Sequence, residues 1–280
     1  MTDNPFSIPE WHSIGRETKL VRHLLGVGAT SLGRAGYGDN MGEYYIAFFG
    51  LSVGLERLAK LVLVVDHAIS NDGTMPSDNM VKEYGHKLVR LFDAAAEIET
   101  RHDVRLKYDR PTDPISVKII DSLDAFADAR RGRYANFAAL GNPSLSKEEP
   151  IARWWAEVAT LILEPHYKGQ PIQTRAEANA AAVQEVTSPF AMVLQTTESG
   201  DIMQDASTAS LLTAQARVVQ KFGRFHALTV VRWLSDLLSK LAQQACYTHR
   251  IHAFFGLWEH LETYTVADDV LKGRKVWPLK

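Results

Sequence analysis

The sequence predicts an all-α protein, an antiparallel helical bundle, and three features say so. Apolar residues recur at alternating steps of three and four over long stretches, the spacing of a buried helix face. Tyr44, Phe48, Leu51, Leu55, Leu58, Val62, Val65 and Ile69 form one such seam. Val81, Tyr84, Leu88, Leu91, Ala95, Ile98 and His102 form a second, and the turn-forming run NDGTMPSD at 71–78 joins the two, with Ser77 or Asp78 as N-cap. No stretch alternates polar and apolar residues for long enough to build a sheet.

The remaining elements follow in order. Pro5 and Pro9 oppose regular structure in the first twelve residues, and Ser13 to Leu25 reads as a short helix. Gly26, Gly28, Gly33, Gly36, Gly38 and Gly42 come next. A phosphate-binding loop needs a strand before it and a Gly-Lys-Ser/Thr ending. Neither is present, so the stretch is expected to be a flexible connector. Gly50 and Gly54, four apart on the first seam's helix, admit close approach by another helix. Residues 103–114 are polar, with Pro111 and Pro114, and form a loop. A third helix then places Ile120, Leu123, Ala127 and Tyr134 inward, with a break expected at Gly132. GNPS at 141–144 marks a boundary. The chain thus divides into an N-terminal helix and connector (1–42), a helical bundle (43–144) and a C-terminal helical region (145–280), the last either part of the same fold or separate. That region carries helices over 150–164 with Trp154 and Trp155, over 175–194, over 207–244 and over 249–263 with Phe254, Phe255 and Trp258. The stripe of the 207–244 helix is Val219, Phe222, His226, Val230, Trp233, Leu237 and Leu241. His226 and the tryptophans are expected in the core.

Composition removes several function classes. Hydrophobic residues make up 46% and charged residues 23%, an ordinary globular balance. A formal net charge of −2 exerts no global pull on nucleic acid or anionic lipid, so any such contact rests on a local patch. The single cysteine, Cys246, excludes an intrachain disulfide and a cysteine-ligated metal centre within one chain. The uncharged stretch from Tyr44 to Leu55 falls short of the roughly 20 residues a membrane span takes. The N-terminus lacks the basic start and apolar run of a leader. A cytoplasmic protein without cofactor is expected. No metal is expected either: His249 and His252 alone make a weak site, and a third ligand such as His260 or Glu259 would have to join them in good geometry.

Three segments in order carry a family resemblance: GLERLAKLVLVVDH (54–67), EYGHKLVRLF (83–92) and SLDAFADARRGRYANF (122–137). Their order and helical placement resemble the HEPN superfamily, in which a helix with an acidic residue and a lysine precedes a Gly-His-x-Leu helix and a later helix runs into an Arg-Tyr pair. The resemblance covers residues 43–140, about a third of the chain. It implies one of two activities. Some HEPN proteins are metal-independent ribonucleases of toxin or phage-defence systems, using an Arg followed four to six residues later by His, often across a dimer. Others lack that motif and bind nucleotides or partner proteins. Here Arg130, Arg131 and Arg133 are followed by no histidine at that distance. The chain's one Arg-x6-His spacing, Arg16 to His23, lies outside the resembling segments. Arginine does not titrate near neutral pH, so it cannot replace the missing acid and base.

The candidate residues follow from this. Glu56 and Lys60 are an i,i+4 pair, a helix-stabilising contact unless Lys60 faces a phosphate or an acidic partner. Gly85 and His86 form the second motif, with Lys82 and Arg90 beside them. His86 and Arg133 are the only candidates for catalysis. Arg130, Arg131, Arg133 and Tyr134 suit phosphate contact and base stacking, or simply a solvated helix end, and Asn136 follows them. The expectation is a HEPN-like homo-oligomeric protein that binds RNA, a nucleotide or a partner protein in a bacterial defence or toxin–antitoxin-like system. A divergent HEPN ribonuclease and a structural or oligomerising module, self-associating through the seams and Gly50/Gly54, are the alternatives. All three place Glu56, Lys60, His86 and Arg133 in one neighbourhood.

Overall fold

The structure, a computed structural model, describes residues 4–127, 132, 134–142, 149–187 and 193–278. It is all-α, with one two-residue β-pairing, Gln195–Thr196 with Ile202–Met203. The three long helices are α1 (Pro9–Leu32), α2 (Gly42–Ser70) and α10 (Ala206–Tyr247). Between them lie α3 (Asp78–Glu83), α4 (Leu88–Arg101), α5 (Pro114–Ala127), α6 (Ala135–Gly141), α7 (Pro150–Trp154), α8 (Thr160–His166) and α9 (Pro171–Thr187), and α11 (Asp268–Gly273) follows α10. All eight residues of the first seam are buried. One continuous core runs from Val21 on α1 through α2, α4 and α5 to Leu241 on α10, so the two halves of the chain share it. Among the described residues no helix is long and apolar enough to cross a membrane.

Only the second part of the glycine-rich stretch, from Gly33 to the start of α2 at Gly42, is a connector. Helix α1 begins at Pro9, where proline suits a first turn, and runs on through Gly26 and Gly28 to Leu32. Gly26 and Gly28 serve close contact. A Cβ on Gly28 would sit 2.7 Å from the backbone nitrogen of Leu51, and one on Gly50 would sit 2.9 Å from Gly28 Cα. Backbone thus meets backbone where α1 crosses α2, and Leu25 fills the notch at Gly54. The α1–α2 pair is antiparallel: Gly28 meets Gly50, and Glu17 reaches Arg57 at 2.6 Å. The glycines and the seam are therefore covered inside the chain, and no self-association face is left on them.

The second seam is also interrupted. Ser77 caps α3, accepting from Met80 N at 3.3 Å, but α3 stops at Glu83 and Gly85 takes a left-handed φ of +75°. Only glycine adopts this without strain. The short α3 carries the chain back along α2. Helix α4 then starts beside Glu56 and ends beside Asp66, so it runs in the same sense as α2 rather than closing a simple hairpin. Near the C-terminus, 249–263 forms two single-turn 3-10 helices, His252–Phe254 and Leu257–His260, separated by Gly256 at φ +74°.

Glu198, between the two short strands, is buried, and its Oε1 has no partner among the described residues. Burial pushes its pKa above the ordinary carboxylate range. A carboxyl whose folded pKa exceeds its unfolded one stabilises the fold fully below the unfolded value, and that contribution is lost as pH rises through the folded value. Thermal melts from acid to neutral pH are expected to show Glu198→Gln gaining on the parent as pH rises and melting higher at neutrality. Parallel curves would remove Glu198 from the pH response.

Candidate functional site

Tyr45, Phe49, Ser52, Glu56 and Lys60 occupy one stripe of α2 at steps of four, three, four and four. Glu56 is its centre. Its Oε1 accepts from Lys60 Nζ at 3.0 Å and from His86 Nδ1 at 2.9 Å. Glu56 and Lys60 are each only 15% exposed in their side chains, whereas His86 is 77% exposed. An Nδ1–H donated to a carboxylate leaves Nε2 as the acceptor of the neutral ring. Here Nδ1 is engaged by Glu56 while the ring stands in solvent. Sequence reasoning put His86 within a helix; it sits instead in the Gly85–Lys87 break.

Long-range contacts fix that break. Asp124 on α5 accepts from Leu88 N at 2.6 Å, capping α4 from another helix, and its other oxygen lies 3.5 Å from Lys87 Nζ. The far end of α4 is pinned by Asp66, whose Oδ1 lies 2.7 Å from His102 Nε2 and 3.0 Å from Arg101 Nη1. Sequence reading missed Asp66, although it lies within the first quoted segment. The adjacent Arg101 and His102 at the end of the next helix, both able to meet an acid, were the available signal.

The other end of the stripe is aromatic. Tyr45 Oη donates to Glu149 Oε1 at 2.5 Å and accepts from Asn136 Nδ2 at 2.7 Å, tying α6 to α2. Burial and the neighbouring Glu149 carboxylate raise the Tyr45 phenol pKa, so it stays protonated. Glu149 in turn caps α7 through Ile151 N and Ala152 N. Tyr134 is not inward: it is 59% exposed, with its ring 6.3 Å from that of Phe137, which is also exposed. Tyr134, Tyr45, Phe49 and Phe126 line one apolar groove. Phe126 and Asp124 place the last turn of α5 between the aromatic groove and the His86 cluster.

The structure thus brings together Glu56, Lys60 and His86, and separately Tyr134 and Asn136. It does not bring in Lys82 or Arg90. Lys82 is exposed on α3 and pairs with Asp78. Arg90 is exposed on α4 at the rim of a shallow pocket with Leu63 and Tyr84. Arg130, Arg131 and Arg133 lie outside the described residues. Lys60 spends its charge on Glu56 rather than standing open to a phosphate.

A second constellation invites a hydrolase reading and fails it. Ser116 Oγ and Asp113 Oδ1 both lie 3.2 Å from His226, and both are on Nδ1. A nucleophile and an orienting acid must bond opposite ring nitrogens. Asp113 instead caps α5, accepting from Ser116 N at 3.0 Å, and burial holds the His226 pKa down. No group of three or more metal-ligating side chains occurs among the described residues. Comparison with family models, with curated proteins and with solved structures finds no match to this chain.

Proposed function

We propose that this chain is a HEPN-like helical protein that binds RNA, a nucleotide or a partner protein through the α2 face running from Tyr134 to His86, in a bacterial defence or toxin–antitoxin-like setting. The supporting observation is the Glu56–His86 hydrogen bond at 2.9 Å, which joins the first two family-like segments, from α2 to the break ahead of α4. The groove lined by Phe49 and Tyr134 supplies stacking surface of the kind that holds single-stranded bases. Arg130, Arg131 and Arg133 immediately precede Tyr134 in sequence and supply the charge for phosphates.

Fluorescence anisotropy with a labelled single-stranded RNA tests this reading. Changing the three arginines to alanine together should weaken binding by about tenfold or more at low salt, as expected for several lost phosphate contacts. Affinity unchanged by that triple substitution would remove the cluster from the account.

The solvent-facing His86 oriented by a carboxylate also favours a second reading, a divergent metal-independent ribonuclease with His86 as proton acceptor. Cleavage by the purified chain should then vanish in His86→Ala. Cleavage that survives both His86→Ala and Arg133→Ala would end it.

A further inference from the structure

A cleft of about 480 Å³ lies between the first turns of α1 and the two 3-10 turns at 252–260, away from the α2 face. Its walls are aromatic. Phe6 is 66% exposed and Phe255 is 41% exposed, an unusual outlay of apolar surface on two sides of one cavity. Trp11 is held rigidly between them: its Nε1 donates to the Phe255 carbonyl at 2.8 Å and its ring packs edge-on against Phe6 at 5.0 Å. Phe6 is itself positioned by the Asn4 side chain, which accepts from Phe6 N at 3.1 Å.

The cleft is also cationic. Arg16 and Lys19 line it against one carboxylate, Glu259. Glu17, next to Arg16 in sequence, is spent on Arg57. Among the described residues Arg16 makes one long hydrogen bond, 3.5 Å to Ser13 Oγ. His260, also on the wall, has its pKa lowered by burial and by Lys19, so near neutral pH it offers a hydrogen bond without a charge. Gly15 lies between these groups, and a Cβ there meets nothing within 4 Å.

We propose that this cleft binds a small planar molecule carrying an anionic group, its ring against Trp11, Phe6 and Phe255 and its anion on Arg16 and Lys19. Exposed aromatic walls suit a flat π-face, and a guanidinium beside an ammonium suits a phosphate or carboxylate. The site is independent of the α2 face and stands or falls separately.

The test is calorimetric titration of the full chain with adenosine monophosphate and with phenyl phosphate, alongside adenosine and inorganic phosphate. At least one of the two aromatic phosphates should bind, with adenosine and phosphate each about tenfold weaker or worse. Arg16→Ala with Lys19→Ala should weaken binding by about ten- to a hundredfold, the range for lost charged hydrogen bonds. Gly15→Leu fills the cleft from a helix position with open space, and should abolish binding while the melting temperature holds or rises. Failure of both aromatic phosphates to bind at millimolar concentration overturns the proposal. So does binding that Gly15→Leu and the double alanine variant leave unchanged.

Discussion

Gly50→Ala should destabilise the protein by about 3 kcal/mol, the upper range for an overpacked contact. The sign makes the result informative. Glycine inside a helix is worse than alanine by about 1 kcal/mol, so propensity alone predicts a gain. The structure predicts the opposite, because the new Cβ would lie 2.8 Å from the Leu24 carbonyl oxygen and 2.9 Å from Gly28 Cα. Both are backbone atoms of a packed helix and cannot turn aside. Gly15→Ala, on α1 with nothing within 4 Å of its Cβ, is the matched control and should gain about 0.5–1 kcal/mol. Urea unfolding of the two variants against the parent gives both values. A gain at Gly50 would mean the α1–α2 crossing is looser than described.

Trp233→Ala should cost about 3–5 kcal/mol, the range for emptying a large aromatic site. Trp233 is fully buried on α10, its ring 5.9 Å edge-on from Phe92 of α4, its Nε1 reaching Glu99 at 3.3 Å and the Arg110 guanidinium 5.4 Å above it. These contacts cross from the C-terminal region into residues 43–140. Asp236 adds another crossing, accepting from Lys107 N at 2.6 Å and Tyr108 N at 3.1 Å. The loss should therefore appear as one cooperative transition shifted to lower denaturant, read alike by helix circular dichroism and by near-ultraviolet signal. Two separated transitions, the first sparing the N-terminal half, would show that 145–280 folds apart.

What the sequence discloses divides along a physical line. The α2 seam was legible because all eight of its apolar positions point into one core, and a period of 3.5 records that directly. The partner of Gly50 was not, because Gly26 and Gly28 are the same residue in a loop or at a helix crossing. Only the approach of Leu51 and Trp277 distinguishes the two. The second seam read as one helix because Tyr84 and Leu88 keep the period across the break, while the left-handed turn at Gly85 and the cap from Asp124 come from the third dimension. Tyr134 was placed inward by its spacing from Ala127, yet it stands at the N-cap of α6 and is exposed. At the site, the Glu56–Lys60 pair follows from i,i+4 spacing, but its meeting with His86, thirty residues on, depends on α3 carrying the chain back.

The central claim is that the α2 face between Tyr134 and His86 is where this protein meets its partner. Photo-crosslinking the full chain to single-stranded RNA containing 4-thiouridine, followed by mass spectrometry of the adducts, tests it most directly. Adducts on Phe49, Tyr134 or Phe137, and on the peptide bearing His86, are the predicted result. Adducts confined to surfaces remote from α2, or none at concentrations that saturate binding, would contradict it.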